Sequence, residues 1–180
     1  MVAHLVVAMV LAPLATLAFA RTPGAVIRRR RFAFLESPVV AFAAFTALVP
    51  LSHLTSFDLT VMNHPDELVA ELVVYALVGV AFWRHVLGST PLPRLGQRVL
   101  YLGLGVPVSA FSGLVMVAQT RSAMGPVSDV HQAGWVMILG GSGLMALEAV
   151  VLVASWVTNE RRRTASILRV PHAAPDAPRA

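Results

Sequence analysis

Long apolar segments alternate with short polar connections along most of this chain. The apolar segments cover residues 2–20, 38–54, 68–86, 99–118 and 133–157. A helix needs about 20 residues to cross a hydrocarbon core roughly 30 Å thick, and the segments approach this length, the second being the shortest. The pattern predicts an all-α, polytopic membrane protein: a five-helix transmembrane bundle over residues 1–160, followed by a basic, disordered cytoplasmic tail over residues 161–180.

Arginine carries all the fixed positive charge, because the chain contains no lysine. Thirteen of the 14 arginines lie at the end of, or after, the first, third or fifth apolar segment, and only Arg121 lies elsewhere. Short connections that are rich in arginine stay on the cytoplasmic side of a membrane. The N-terminus is therefore predicted outside and the C-terminus in the cytoplasm.

Composition narrows the range of partners and cofactors. The chain is 57% hydrophobic, and its pI is about 11.2. Because the arginines flank apolar segments, topology and contact with anionic membrane lipid account for this charge, and no nucleic acid partner is expected. Cysteine is absent, which excludes disulfides, thiolate zinc sites and iron–sulfur clusters. A bound metal would have to use His, Met, Asp or Glu.

The first apolar segment also resembles a signal peptide, with Ala18-Phe19-Ala20 as a cleavage site. Two features argue against cleavage. No Arg or Lys precedes the apolar run, and cleavage would leave Arg28–Arg31 on the outer side. The segment is therefore interpreted as a span. Its Pro13 requires a neighbouring helix to cover the freed carbonyl, and Trp83, beside Arg84, is expected at the membrane interface.

The predicted outer side collects residue types that bind metals. Seven of them are the candidate ligands: His4, His53, His64, Glu67, Glu71, Asp129 and His131. Met62, Met124 and Asp58 fall on the same side, whereas His85 and His172 fall on the cytoplasmic side and are set aside. Imidazole with thioether suits copper(I), and imidazole with carboxylate suits copper(II), zinc or iron. Copper is therefore a possible cofactor.

One stripe of polar residues opens the third apolar segment. His64, Glu67 and Glu71 have the spacing i, i+3 and i+7, and Tyr75 continues the row, so they share one helix face. His64-Pro65 reads as a helix start. The stripe is either a metal or proton site in an outward cavity or a solvated helix N-terminus whose acids the helix dipole stabilises. Glu71, a turn inside the hydrocarbon boundary, favours the first interpretation.

The fifth apolar segment opens with Asp129, which is a candidate N-cap, and His131, whose imidazole stays neutral more easily near the positive end of the helix dipole. Met137 lies about 240° around the helix from His131, so core packing is the simpler interpretation. Glu148 lies deep in this segment without an evident partner, and an intramembrane acid is a functional candidate by default.

Several of these segments resemble the membrane-integral CtaG family of bacterial cytochrome c oxidase assembly factors. The similar stretches are Met1 to Pro13, His53 with Asp58, residues 77–83 ending in Phe-Trp, and Asp129 to Met137. The family's histidines in the third span fall where Glu67 and Glu71 stand here. The resemblance implies a multi-pass protein of the bacterial cell membrane that delivers copper to a haem–copper oxidase, with a cytochrome c oxidase subunit as partner.

Three functions follow. The leading hypothesis is a copper-handling assembly factor that binds metal at the outer face and is not an enzyme. The alternative is a structural or accessory subunit without metal. The third is a subunit of an oxidoreductase that interacts with haem or quinone, although none of the histidines lies at mid-membrane depth.

Overall fold

The computed structural model describes residues 2–21, 37–53, 64–88, 91–121 and 126–168. Within these ranges the chain forms helices and turns and no strand, which confirms the predicted all-α class. The helices are α1 (Val2–Val6, a π-helical turn Val7–Leu11, and Ala12–Arg21), α2 (Pro38–His53), α3 (Pro65–Trp83), α4 (Leu95–Val117) and α5 (Val127–Val136, a π-helical turn Met137–Ser142, and Gly143–Leu168).

Three helices in the described part of the chain are long and apolar enough to cross a membrane. They are Val2–Ala20, Leu95–Val117 and the run Val127–Ser166. Helix α2 is apolar but has only 16 residues, and α3 carries three carboxylates in its first two turns. A membrane protein is therefore supported, whereas the five-span count and the orientation of the termini stay predictions.

The start of α3 follows the sequence prediction. His64 has an extended backbone and is the N-cap residue, Pro65 is the first helical residue, and Asp66 and Glu67 lie in the first turn. Proline suits this position because its missing N–H has no helical partner there. Acids suit it because the first turn is the positive end of the helix dipole.

Helix α5 differs from the prediction at both ends. Pro126, not Asp129, is its N-cap residue, and Asp129 lies in the first turn because the backbone is already helical from Val127. At the other end the helix continues to Leu168, so residues 161–168 of the predicted disordered tail are helical. The side chains of Thr158 and Thr164 donate to carbonyls one turn back along this extension. The remainder of the tail lies outside the described residues.

Small residues let α4 and α5 pack closely, as their composition predicts. A Cβ atom added to Gly113 would lie 2.6 Å from the carbonyl oxygen of Gly134, and one added to Gly134 would lie 2.7 Å from that of Gly113. Further along the pair, Ser109 Oγ donates to the Met137 carbonyl at 3.1 Å, and Ser142 Oγ donates to the Val106 carbonyl at 3.2 Å. Both hydrogen bonds involve the π-helical turn of α5 or its end, where the regular main-chain pattern changes.

Helix α1 packs on α3 through Gly79, where an added Cβ would lie 2.8 Å from the Ala12 Cβ. At this contact the indole nitrogen of Trp83 donates to the Ala8 carbonyl at 2.8 Å. A neighbouring helix thus covers a carbonyl near Pro13, as predicted. The side chain of Trp83 is fully buried and packs inside the bundle, and its depth at the membrane interface stays a prediction.

Aromatic side chains fill the bundle below this contact. The rings of Phe45 and Phe82 stack at 4.4 Å between centroids, and Tyr101 packs on Phe82 at 4.7 Å. The Tyr101 hydroxyl donates to the Pro38 carbonyl, which joins the starts of α4 and α2. The opposite end of the bundle, formed by the starts of α1, α3 and α5 and the ends of α2 and α4, is called the His4 end below.

Candidate functional site

Two ionisable side chains meet inside the bundle at the His4 end. His4 of α1 and Glu71 of α3 are 5% and 6% exposed, and His4 Nε2 lies 3.1 Å from Glu71 Oε2. An ionised carboxylate in a low-dielectric interior is costly unless a partner compensates it. The imidazole of His4 is such a partner, so the two residues form one buried polar unit between two helices.

Tyr75 and Ser52 extend this unit to a third helix. Tyr75 lies one turn after Glu71 on α3, and its ring packs on the His4 ring with 4.7 Å between centroids. The Tyr75 hydroxyl and the Ser52 hydroxyl share a short hydrogen bond, and both residues are buried. The His4 cluster, defined as His4, Glu71, Tyr75 and Ser52, therefore links α1, α3 and α2.

The predicted stripe of α3 divides between surface and interior. Its outer members are the exposed His64 and the half-exposed Glu67, and its inner members are the buried Glu71 and Tyr75. The solvated interpretation of a helix N-terminus therefore fits His64 and Glu67. The interpretation as a site in the bundle fits Glu71, which meets a histidine of another helix.

Asp129 and His131 lie where α5 begins. Asp129 is exposed, and its Oδ1 accepts a hydrogen bond from Ser128 Oγ at 3.2 Å. His131 is half-buried, with Nε2 2.8 Å from the carbonyl oxygen of Gln119. When Nε2 donates to that carbonyl, the imidazole ties the start of α5 to the connection that follows α4, and only Nδ1 is left as an acceptor or ligand.

The other sequence candidates at this end are only partly visible. The side chain of His53 lies outside the described residues, although the backbone of His53 ends α2 directly after Ser52. Met1, Asp58, Met62 and Met124 also lie outside them. These candidates stay predictions.

The described residues do not assemble the seven candidate ligands into one site. Within those residues no group of three or more His, Asp or Glu side chains lies close enough to hold a metal ion. His4 and Glu71 supply an imidazole nitrogen and a carboxylate oxygen, a donor pair that suits copper(II) or zinc better than copper(I). His53, whose side chain lies outside the described residues, directly follows Ser52 in the sequence and stays a candidate for a further ligand.

Met137, which the sequence pattern assigns to the core, is a core residue, and so is Met9. Met137 is 4% exposed and packs with Met116 and Val130 between α4 and α5. Met9 is also buried, within the larger core that includes Tyr75 and Trp83. Their packing agrees with the interpretation that they fill the core.

The Oε2 atom of Glu148 has no hydrogen-bond partner among the described residues. The residue is half-exposed on α5, but its Oε2 atom is buried. Met145, one turn earlier, packs against Gly105 of α4, so Glu148 lies well away along α5 from the His131 turn. Glu148 does not belong to the His4 cluster.

Sequence reasoning missed the roles of two residues, one in the His4 cluster and one that holds α1 against α3. Ser52 is adjacent to the candidate His53, but a serine in an apolar run gives no signal of what it bonds. The position of Trp83 beside Arg84 predicts an interfacial depth but gives no sign of its contact with α1. The signal that could have located it is Pro13, since a freed carbonyl in an apolar helix requires a donor and an indole N–H is one.

The comparisons with known proteins identify one family. The family model described as cytochrome c oxidase caa3 assembly factor matches residues 1–159. That match includes the whole His4 cluster and all of α1 to α4. No curated protein and no solved structure matches the chain.

Proposed function

This chain belongs to the family of cytochrome c oxidase caa3 assembly factors, and we propose that it carries copper to the oxidase as cargo. The proposed location is the bacterial cell membrane, with five spans, an outer N-terminus and a cytoplasmic C-terminus. The proposed partner is a subunit of the oxidase. The role is binding and transfer, not catalysis.

The observation that carries this proposal is the buried contact between His4 and Glu71. Most other polar side chains at the His4 end face solvent or bond to the main chain, whereas these two face each other inside the bundle. Burial of an imidazole beside a carboxylate has a cost that packing alone does not require. The arginine asymmetry predicts an outer N-terminus, so in this proposal the pair lies near the outer face of the membrane.

In this proposal His4 and Glu71 are two of the ligands, and His53 is the third. Tyr75 and Ser52 orient them, because the Tyr75 ring limits the rotation of His4 and its hydroxyl is fixed by Ser52. A site with one carboxylate holds soft copper(I) less tightly than one built from imidazoles alone. Weaker binding suits a carrier that must release its cargo.

The test is copper binding by the purified full chain in lipid nanodiscs. Copper(I) is supplied from a chromogenic chelator, and retained copper is measured after desalting. The native chain should retain about one copper, and His4→Ala or Glu71→Ala should lower retention at least tenfold, since each lost ligand is costly. His64→Ala tests the exposed imidazole. Equal loss in His64→Ala and His4→Ala would mean adventitious binding and would overturn the proposal.

A second function, that of a metal-free accessory protein, is favoured by one observation: His4 and Glu71 join α1 to α3 by a direct contact between their side chains in the interior of the bundle. In that case the His4–Glu71 contact holds α1 against α3 in a metal-free accessory protein. The two functions separate in cells that lack their own assembly factor and produce this chain. A copper carrier restores the copper content of the oxidase, and His4→Ala abolishes that restoration. An accessory subunit restores enzyme amount without a change in copper per enzyme. An absorption band of haem in the purified chain would support the third function instead.

A further inference from the structure

The π-helical turn of α1 leaves one carbonyl without a main-chain donor. In a π turn each N–H donates to the carbonyl five residues earlier, and here the Ala12 N–H donates to the Val7 carbonyl. The next bond of this series would run from residue 13 to the Ala8 carbonyl. Residue 13 is proline, which has no N–H. The Ala8 carbonyl therefore needs a donor from another part of the chain.

Trp83 of α3 is that donor. Its Nε1 lies 2.8 Å from the Ala8 carbonyl oxygen, and its side chain is fully buried. Gly79, one turn before Trp83, allows the approach of α1, because an added Cβ there would lie 2.8 Å from the Ala12 Cβ and would force the two helices apart. Two of the four stretches on which the family resemblance rests, the one ending at Pro13 and the one ending at Trp83, thus meet at this hydrogen bond.

The π turn decides which residue of α1 faces Glu71. Such a turn inserts about one residue relative to a regular helix, so it rotates the preceding segment by roughly 100°. If Val7–Leu11 were regular α-helix, Leu5 would take the direction that His4 has now. In the structure His4 meets Glu71, while Leu5 packs on Gly140 of α5.

We propose that Pro13 and Trp83 are positioning residues that hold the π turn of α1 and so set His4, rather than Leu5, against Glu71. In a regular helix the Pro13 ring would clash with the Met9 carbonyl and leave it without its donor, which disfavours that register. Trp83 satisfies the Ala8 carbonyl that the π turn leaves open. The importance of the arrangement for cargo rests on the proposed function of His4. The register itself does not depend on a metal.

Because the chain contains no cysteine, introduced cysteine pairs can measure whether residue 4 or residue 5 faces position 71. Glu71→Cys is combined with either His4→Cys or Leu5→Cys in the full chain in native membranes, and a short bis-methanethiosulfonate reagent joins the two thiols. Position 4 should cross-link at least about fivefold better than position 5, as the one-residue register requires. Pro13→Ala should reverse this preference, so that position 5 cross-links better than position 4. Trp83→Phe should reduce the ratio of the two cross-linking yields to about one, because the donor to the Ala8 carbonyl is lost.

Two matched variants control for general effects on packing. Pro107→Ala restores an N–H inside α4, and Trp156→Phe alters an exposed tryptophan of α5, and both should leave the preference for position 4 unchanged. An equal yield at positions 4 and 5 in the otherwise native chain would overturn the proposal. The proposal would also be overturned if Trp83→Phe and Pro13→Ala both left the preference for position 4 unchanged. If Pro13→Ala does not accumulate as a monodisperse protein, the cross-linking ratio of Trp83→Phe alone tests the positioning role.

Copper retention by Trp83→Phe, with His4 and Glu71 in place, separates this proposal from the proposed function. A changed cross-linking preference with at least about fivefold less copper supports both. A changed preference with unchanged copper keeps the positioning role and removes His4 as a cargo ligand. An unchanged preference overturns the positioning role, whatever the copper content.

Discussion

The imidazole Nε2 of His4 lies 3.1 Å from the carboxylate Oε2 of Glu71, with both side chains buried where α1 meets α3. The contact joins residues that are far apart in sequence and lie on different helices. It also gives Glu71 the partner that an acid inside a membrane bundle requires. The pair therefore has a structural role even before any metal is considered, and that role makes the first prediction.

Glu71→Ala should destabilise the bundle by about 1–3 kcal/mol, because His4 loses a buried polar partner. Glu71→Gln should cost less, since an amide keeps an oxygen near the imidazole. The measurement is thermal unfolding of the chain in detergent micelles. In a double-mutant cycle with His4→Ala the two losses should be non-additive by about 0.5 kcal/mol or more. Additive losses would mean that the two side chains do not stabilise each other.

Gly113→Ala should weaken the packing of α4 on α5. The new methyl group would lie 2.6 Å from both the Gly134 carbonyl oxygen and Ile138 Cγ1, so the two helices must separate. The expected cost is about 1–3 kcal/mol, as for other overpacked contacts.

Gly103→Ala is the matched control on the same helix, because nothing lies within 4 Å of its added Cβ. It should be neutral or stabilising by up to about 1 kcal/mol, the helix propensity of alanine over glycine. Thermal unfolding of Gly113→Ala and Gly103→Ala measures the two free-energy changes. Equal destabilisation would show that the effect comes from loss of glycine rather than from the close approach.

These glycines also show how much of the fold the sequence predicts. The apolar segments give the first four helices to within four residues, whereas α5 begins six residues before its segment and ends eleven after it. The small residues of α4 and α5 give their mutual packing. The start of α3 at Pro65 follows from local chemistry alone. Each of these features depends on residues that are close in sequence or on composition, so one sequence is enough to find them.

The site is less predictable, because it depends on which helix faces meet. Periodicity places His64, Glu67 and Glu71 on one stripe, but it does not say that only Glu71 turns toward α1. His131 bonds to a main-chain carbonyl, which has no side-chain signal. The direction of His4 depends on a π turn whose cause lies partly in Trp83, far away in sequence. Contacts between distant residues therefore decide the candidate site.

The orientation in the membrane should follow the arginines. A fusion of green fluorescent protein after Leu168, the last residue of α5, should be fluorescent, and alkaline phosphatase at the same point should be inactive. Short connections rich in arginine remain in the cytoplasm, and Arg161–Arg163 directly follow the apolar part of α5. An active phosphatase would place the His4 end in the cytoplasm and would remove the basis for copper transfer at the outer face.

Glu71→His should raise the affinity for copper(I). Position 71 already lies against His4, so a histidine there would bring two imidazoles together, and imidazole is a softer ligand than carboxylate. We expect at least about a tenfold gain in affinity, measured by competition with a copper(I) chelator. Glu67→His is the matched control, since Glu67 lies one turn outward on the same helix and is half-exposed. It should change the affinity by less than about twofold. A gain at position 67 equal to that at position 71 would mean that copper binds along the exposed stripe, and the buried pair would then be structural only.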